Sequence, residues 1–264
     1  MRGPLLAVAL LLPALAGCLS SGEDVPAPAA SLPFPLSFDG QGCRELIAAV
    51  PADEARVRAA LPEGLQLSGS GYLGAPRQAG KVTLLLNIVD CATGNVSTAP
   101  ALFHLGEVYV SVVPPEGSEA EGAIFDFLAF SGDSRAAATF TEGGWPMMSL
   151  NAAYTRTRGP AGPAVIHAVW QGEDFEYVLD GTLDSSAPQP SPGTTIDSHQ
   201  LVNGTLVRFP WVLGDGQLLG VGAGRFTATP GSLVANLLGA TEAPASVFLV
   251  TFSEYRSAAP PSAV

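Results

Sequence analysis

Few residues of this chain stand at spacings that chemistry requires. Asp197, Ser198 and His199 bring three catalytic residue types together. Members of a hydrolytic triad, however, approach one another from separate loops, not from adjacent positions. A nucleophile elbow needs Gly-x-Ser-x-Gly between a strand and a helix; Ser68-Gly69-Ser70-Gly71 has another spacing and reads as a flexible turn. His104 and Glu107 would share a metal only on a helix, and they open a strand-like run, which favours a satisfied or exposed histidine. Three cysteines and three histidines show no metal-ligand spacing, so neither a metal nor a cofactor is expected. Lys81 is the only lysine, and lysine is the side chain that forms imines with carbonyl compounds. It follows Gln78-Ala79-Gly80 at the start of a strand, the setting of an exposed, solubilising lysine. Asn95-Val96-Ser97 and Asn203-Gly204-Thr205 are glycosylation sequons, meaningful where the host modifies exported proteins.

The N-terminus places such chemistry outside the cytoplasm. Arg2 precedes the apolar run Leu5–Leu12, and small residues follow up to Gly17. Residues 1–17 read as a signal peptide, too short to span a bilayer. Leu15-Ala16-Gly17-Cys18 resembles the lipobox of prokaryotic lipoproteins, which implies a lipid on Cys18 and anchoring to the outer face of the cell membrane. Residues 18–35 are rich in Pro, Ala and Ser and read as a flexible linker. An even pair of cysteines remains, Cys43 and Cys91, which invites a disulfide worth about 3–4 kcal/mol in an exported domain. Two buried free thiols are the alternative.

Acidic residues number 24 against 12 basic, giving a net charge of −12. That balance excludes nucleic-acid binding, which needs clustered Lys and Arg, and docking on anionic lipid through charge. With 47% hydrophobic residues the mature chain can bury a sizeable core. Strands are expected at 43–50, 82–90, 107–113, 164–170, 174–183, 195–211, 217–228 and 246–255. Short helices are expected at 51–62, opened by Pro51 and Asp53 and stopped by Pro62, and at 231–238. Residues 123–130 leave helix and strand open. The fold class is mainly β (a β-rich α+β chain), a curved antiparallel sheet or barrel with a few short helices, in a single domain over 36–256 and a disordered tail at 257–264.

Cys43-Arg44-Glu45-Leu46, followed by Val50-Pro51-Ala52-Asp53 and the helix ending at Leu61-Pro62, resembles the opening of the acetoacetate decarboxylase family. Leu105-Gly106-Glu107-Val108-Tyr109 is similar to that family's glutamate-bearing strand. Thr141-Glu142-Gly143-Gly144-Trp145-Pro146-Met147-Met148 is similar to its Gly-aromatic-Pro-Lys-Lys segment, and Phe248 to Tyr255 suits its last strand. The resemblance implies a β-barrel or cone with an apolar internal pocket, lined by Arg44 and Glu107. It also puts Met147 where the family carries its Schiff-base lysine, and Met148 where the next lysine stands. A thioether cannot attack a ketone and hold it as an iminium, so decarboxylation by the family route is not expected.

What remains is a pocket near Arg44, Glu107, Trp145, Met147 and Met148, suited to a small apolar or carboxylated ligand, with Arg44 offering its fork to a carboxylate. The opposing expectation is that both methionines fill the space and leave a solid core. Two other readings stay open: an enzyme of altered chemistry (a lyase or hydrolase) using Glu107 and Arg44, and a β-rich surface lipoprotein for adhesion or assembly with no pocket.

Overall fold

The computed structural model describes residues 36–264, apart from 69–77, 98, 101–103, 117, 159–161, 185–187 and 260. The leader, Cys18 and the linker therefore lie outside the described residues. Among those described, no helix is long and apolar enough to cross a membrane.

In chain order the elements begin with β1 (Phe38–Asp53), α1 (Glu54–Ala60), β2 (Lys81–Val96), β3 (Ala99–Pro100), β4 (His104–Val112) and β5 (Gly122–Ser131). Next come α2 (Ser134–Glu142), β6 (Met148–Ser149), β7 (Asn151–Arg158), β8 (Ala164–Gln171), β9 (Glu176–Asp184) and β10 (Gln189–Ser191). The chain ends with β11 (Thr194–Val202), β12 (Thr205–Leu213), β13 (Gly216–Ala228), α3 (Leu233–Leu238), β14 (Glu242–Ser257) and β15 (Ser262–Ala263).

Seven strands close into a barrel in the order β12-β11-β5-β4-β2-β1-β14, and the ring shuts where Trp211, Val212 and Leu213 pair with Ser257, Arg256 and Tyr255. Neighbouring barrel strands are antiparallel except β5 and β11, which run parallel. From β14 the sheet continues through β13, β9 and β8 to β7. The Asn203-Gly204 hairpin between β11 and β12 has φ of 51° and 81°, the left-handed pair that a two-residue turn of matching twist demands.

Strand alternation divides the apolar residues into two cores. All seven barrel strands feed one cluster, which makes it the lumen: it includes Cys43 and Ile47 of β1, Leu85 and Val89 of β2, Tyr109 of β4, Ile124 of β5, Phe209 and Trp211 of β12, and Val250 and Tyr255 of β14, with Ile196 of β11 packed against it. The other cluster joins the opposite faces of β1, β2, β4 and β5 to Ile166, Trp170, Leu179 and Phe226 of the continuing sheet. Residues 123–130 settle as strand. Helix α1 is capped by the Asp53 carboxylate, which accepts the Arg56 backbone N–H at 3.1 Å. Helix α2 and strand β7 were not foreseen. Near the C-terminus Ser262 and Ala263 pair with Arg208 and Val207 of β12.

Candidate functional site

The ladder between β2 and β4 is interrupted between the pairs Leu86↔Val108 and Val89↔Leu105. Asn87 fills the gap with its side chain. Its Oδ1 accepts the Glu107 backbone N–H at 2.6 Å, and its Nδ2 donates to Glu45 Oε1 at 2.7 Å and Glu107 Oε2 at 3.4 Å. On the other face of β2, Trp170 donates its indole N–H to the Asn87 carbonyl at 3.1 Å. A backbone irregularity is thus satisfied from both sides, and two acids are drawn to one amide inside the barrel.

Burial is the main cause that pushes the Glu45 carboxyl up to about 7, against the opposing hydrogen bond from Asn87. Burial also raises Glu107 to about 7, and the neighbouring Glu45 charge adds to it. Asp126 lies further along the lumen face on β5. Burial first, then the Glu107 charge, raises it well above the carboxylate range, although the Ser198 hydroxyl donates to its Oδ2. The cavity beside these acids measures about 40 Å³, and its described lining is Glu45, Asn87, Glu107, Tyr109, Ile124, Ile196, Trp211, Leu213 and Tyr255.

The expected pocket residues divide. Glu107 lines the cavity; Arg44, Trp145, Met147 and Met148 do not. Trp145 is fully buried at 5.4 Å from Phe209 in the aromatic packing of the lumen. Met147 is half-buried against that packing, and Met148 is 45% exposed on β6. Arg44 and Glu45 are adjacent, so they stand on opposite faces of β1. The sheet therefore separates Arg44 from Glu107, which removes the arginine–glutamate pair on which an altered lyase or hydrolase chemistry would rest. Lys81 pairs with Asp53 at the far end of β2, six residues or about 20 Å along the strand from Asn87.

Arg44 instead faces an outer groove of about 420 Å³, bordered by Gly42, Cys43, Asp90, Cys91, Ala92, Tyr154, Thr251 and Phe252. Its guanidinium donates to the Tyr154 hydroxyl. Asp90 is taken by His104, whose other ring nitrogen meets the Ala152 carbonyl. Cys43 and Cys91 sit directly opposite one another on β1 and β2 and are joined as a disulfide.

Asp197 and His199 face away from Ser198 on β11, so the tripeptide forms no triad. Asp197 pairs with Arg208 at 2.8 Å and accepts from Ser118 at 2.5 Å, while His199 contacts the Ile124 carbonyl at 3.2 Å and burial lowers its pKa. Asn95 and Asn203 are both exposed. Sequence reasoning missed Glu45, Asn87 and Asp126 as a group. Glu45 follows the charged Arg44, whereas Asn87 and Asp126 are each a lone polar residue inside an apolar strand, in Leu84-Leu85-Leu86-Asn87-Ile88-Val89 and Ile124-Phe125-Asp126-Phe127. That is the available signal, because a buried polar group must find partners.

No protein-family model and no curated sequence matches the chain. Solved structures do resemble it. An acetoacetate decarboxylase-like enzyme from Sphingomonas wittichii RW1 is 14% identical, over 86% of this chain and 92% of that one, with a TM-score of 0.53. The acetoacetate decarboxylase of Legionella pneumophila is 14% identical, over 94% and 98%, with a TM-score of 0.54. The enduracididine biosynthesis enzyme MppR with HEPES buffer bound is 15% identical, over 95% and 98%, with a TM-score of 0.54. The fold is therefore acetoacetate decarboxylase-like, and at these identities the likeness defines the fold alone.

Proposed function

We propose that this chain is an exported protein, tethered to the outer face of the cell membrane by lipid on Cys18. It uses its acetoacetate decarboxylase-like barrel as a binding module and not as an imine-forming enzyme. Its ligand is a small carboxylate with an apolar body, held in the outer groove at Arg44.

The observation that carries the reading is the placement of Arg44. Its guanidinium has Tyr154 as partner and forms no ion pair among the described residues, and it borders a groove walled by the Tyr154 ring. A planar fork with donors to spare suits a carboxylate. The lumen offers a carboxylate no such support: no Arg, Lys or His is among its described lining residues, and about 40 Å³ is far below the roughly 300 Å³ at which drug-sized pockets begin. The Asp90 carboxyl in the groove is taken up by its contact with the His104 ring. Against catalysis through an imine stand the thioether of Met147 and the distance of Lys81 from the lumen acids.

Ligand-detected NMR and thermal-shift screening with short fatty acids and keto acids tests the binding claim. Hits that vanish in Arg44→Gln and persist in Glu107→Gln are expected; hits indifferent to Arg44, or none, overturn it. Borohydride treatment with acetoacetate should leave no adduct, and a stable adduct at Lys81 would restore the imine route. Mass spectrometry of the native protein should find acyl mass on Cys18; an unmodified, soluble product removes the tether.

A further inference from the structure

The lumen cavity carries chemistry of a different kind from the groove. Its described lining combines the carboxyl groups of Glu45 and Glu107 and the amide of Asn87 with the rings of Tyr109, Trp211 and Tyr255. Trp211 and Tyr255 stack at 5.3 Å with 19° between their planes. Among the described residues, the buried polar atoms without hydrogen-bond partners include Asp126 Oδ1, on a side chain 1% exposed, and the indole N–H of Trp211, 2% exposed and on a residue of the cavity wall.

Each observation narrows the ligand. Carboxyl oxygens in excess, with an unpartnered Asp126 oxygen behind them, call for a donor. Carboxylates and aromatic faces both attract an ammonium. The unpartnered indole N–H calls for an acceptor on the same ligand. Among the described residues no group of three or more acidic, histidine or cysteine side chains is placed to hold a metal ion. The volume of about 40 Å³ admits only a few heavy atoms.

We propose that the barrel lumen binds a small primary ammonium that also carries an oxygen acceptor, its ammonium shared between Glu45 and Glu107 and its oxygen taken by the Trp211 indole N–H. The cation supplies the counter-charge that the acid pair lacks, so binding draws protons off the carboxyls and weakens as the pH falls. Among the described residues, those placed around the pair are Asp126 on β5, Tyr109 on β4, Ser198 on β11, Trp211 on β12 and Tyr255 on β14, and none of these is a cation.

Ethanolamine is the probe, titrated into the folded protein by calorimetry at about pH 8, where carboxyls near 7 are largely ionised. A dissociation constant of roughly millimolar order is expected for so small a ligand. Proton release should appear as a dependence of the heat on buffer, and binding should weaken at least tenfold at about pH 5.5. Propylamine, which lacks the oxygen, and Trp211→Phe should each weaken binding severalfold; Glu107→Gln should weaken it at least tenfold, and Arg44→Gln should leave it unchanged. Should Glu107→Gln fail to fold, the comparison of ethanolamine with propylamine and the pH series on the unmutated protein decide. No saturable heat, equal binding of both amines, binding indifferent to pH, or loss on Arg44→Gln overturns the proposal. The last outcome would move the amine to the groove, whereas failure of the carboxylate screen alone would touch only the groove.

Discussion

Asn87 donates to Glu45 across β1 and β2 at 2.7 Å while its other amide atom takes the Glu107 backbone N–H at 2.6 Å. One side chain therefore replaces a missing ladder bond and gathers two acids. Leucine at this position keeps the volume and removes all three contacts, leaving a buried N–H and two buried carboxyls without that partner. Asn87→Leu should lose about 2–4 kcal/mol of stability in urea unfolding at neutral pH. A loss below about 0.5 kcal/mol would show that the bridge contributes nothing net.

The acid pair also sets a pH dependence of stability. The folded pKa of Glu45 and of Glu107 is about 7 against an ordinary 4.5, so folding disfavours the charged form of each. Their contribution is fully present below about 4.5 and is lost as the pH rises through about 7. Thermal unfolding should show stability falling between about pH 5 and pH 8, by on the order of a few kcal/mol. Glu107→Gln should flatten the slope, because it removes one ionisation and relieves the other. A curve that rises over this window would mean that the pair ionises readily inside the barrel.

The β-rich class was legible from the sequence because strand-length apolar runs are separated by turn residues, and the closed barrel followed only from the family resemblance. The capping Asp53 and the stop at Pro62 mark the first helix by local chemistry, whereas the Asn203-Gly204 turn divides what the sequence offers as one strand region, 195–211. The site was less legible. Arg44 and Glu45 differ by one position, and that step decides which face of β1 each occupies. Local sequence leaves the phase of a strand that is buried on both faces undetermined, because apolar residues run through both sets of positions. The gap opposite Asn87 was equally hidden: it arises from pairing between β2 and β4 and has no signature in either strand alone. Trp145 packs on Phe209, and Phe209 on Trp211 of the cavity wall, contacts between residues distant in sequence.

His104 should keep its proton to a higher pH than an ordinary histidine does. Its two ring nitrogens meet two acceptors, Asp90 Oδ1 and the Ala152 carbonyl, and both contacts need a proton on the ring. Burial pulls its pKa down, but the Asp90 hydrogen bond, the Asp90 charge and the Ala152 carbonyl together raise it above 6.5. With the folded value raised, the stabilisation is complete below about 6.5 and disappears as the pH climbs past the folded value. An NMR titration should place the His104 midpoint above 6.5, and Asp90→Asn should bring it down. Asp90 is 44% exposed at its side chain, so solvent screening limits the stability change to about 1 kcal/mol or less. An unmoved midpoint in Asp90→Asn would show that the carbonyl alone holds the proton.

The disulfide between Cys43 and Cys91 closes a separation of 48 residues that includes α1 and all of β2 up to Cys91. Loop-closure entropy for that span gives about 4 kcal/mol as the chain-entropy estimate. The two cysteines are already opposite one another in a long antiparallel pairing, so part of the ordering is supplied by the β1–β2 ladder itself. Cys91→Ser should therefore lower stability by about 2–4 kcal/mol and leave the barrel folded. Urea unfolding with and without reductant gives the same comparison on the unmutated chain, since Cys91 borders the outer groove and is within reach of a thiol. Loss of folding on reduction would mean that β1 and β2 cannot hold their register without the covalent tie. No change at all would mean that the unfolded chain keeps the two strands together. In either case the readout concerns β1, the strand that carries Arg44 to the groove and Glu45 to the lumen.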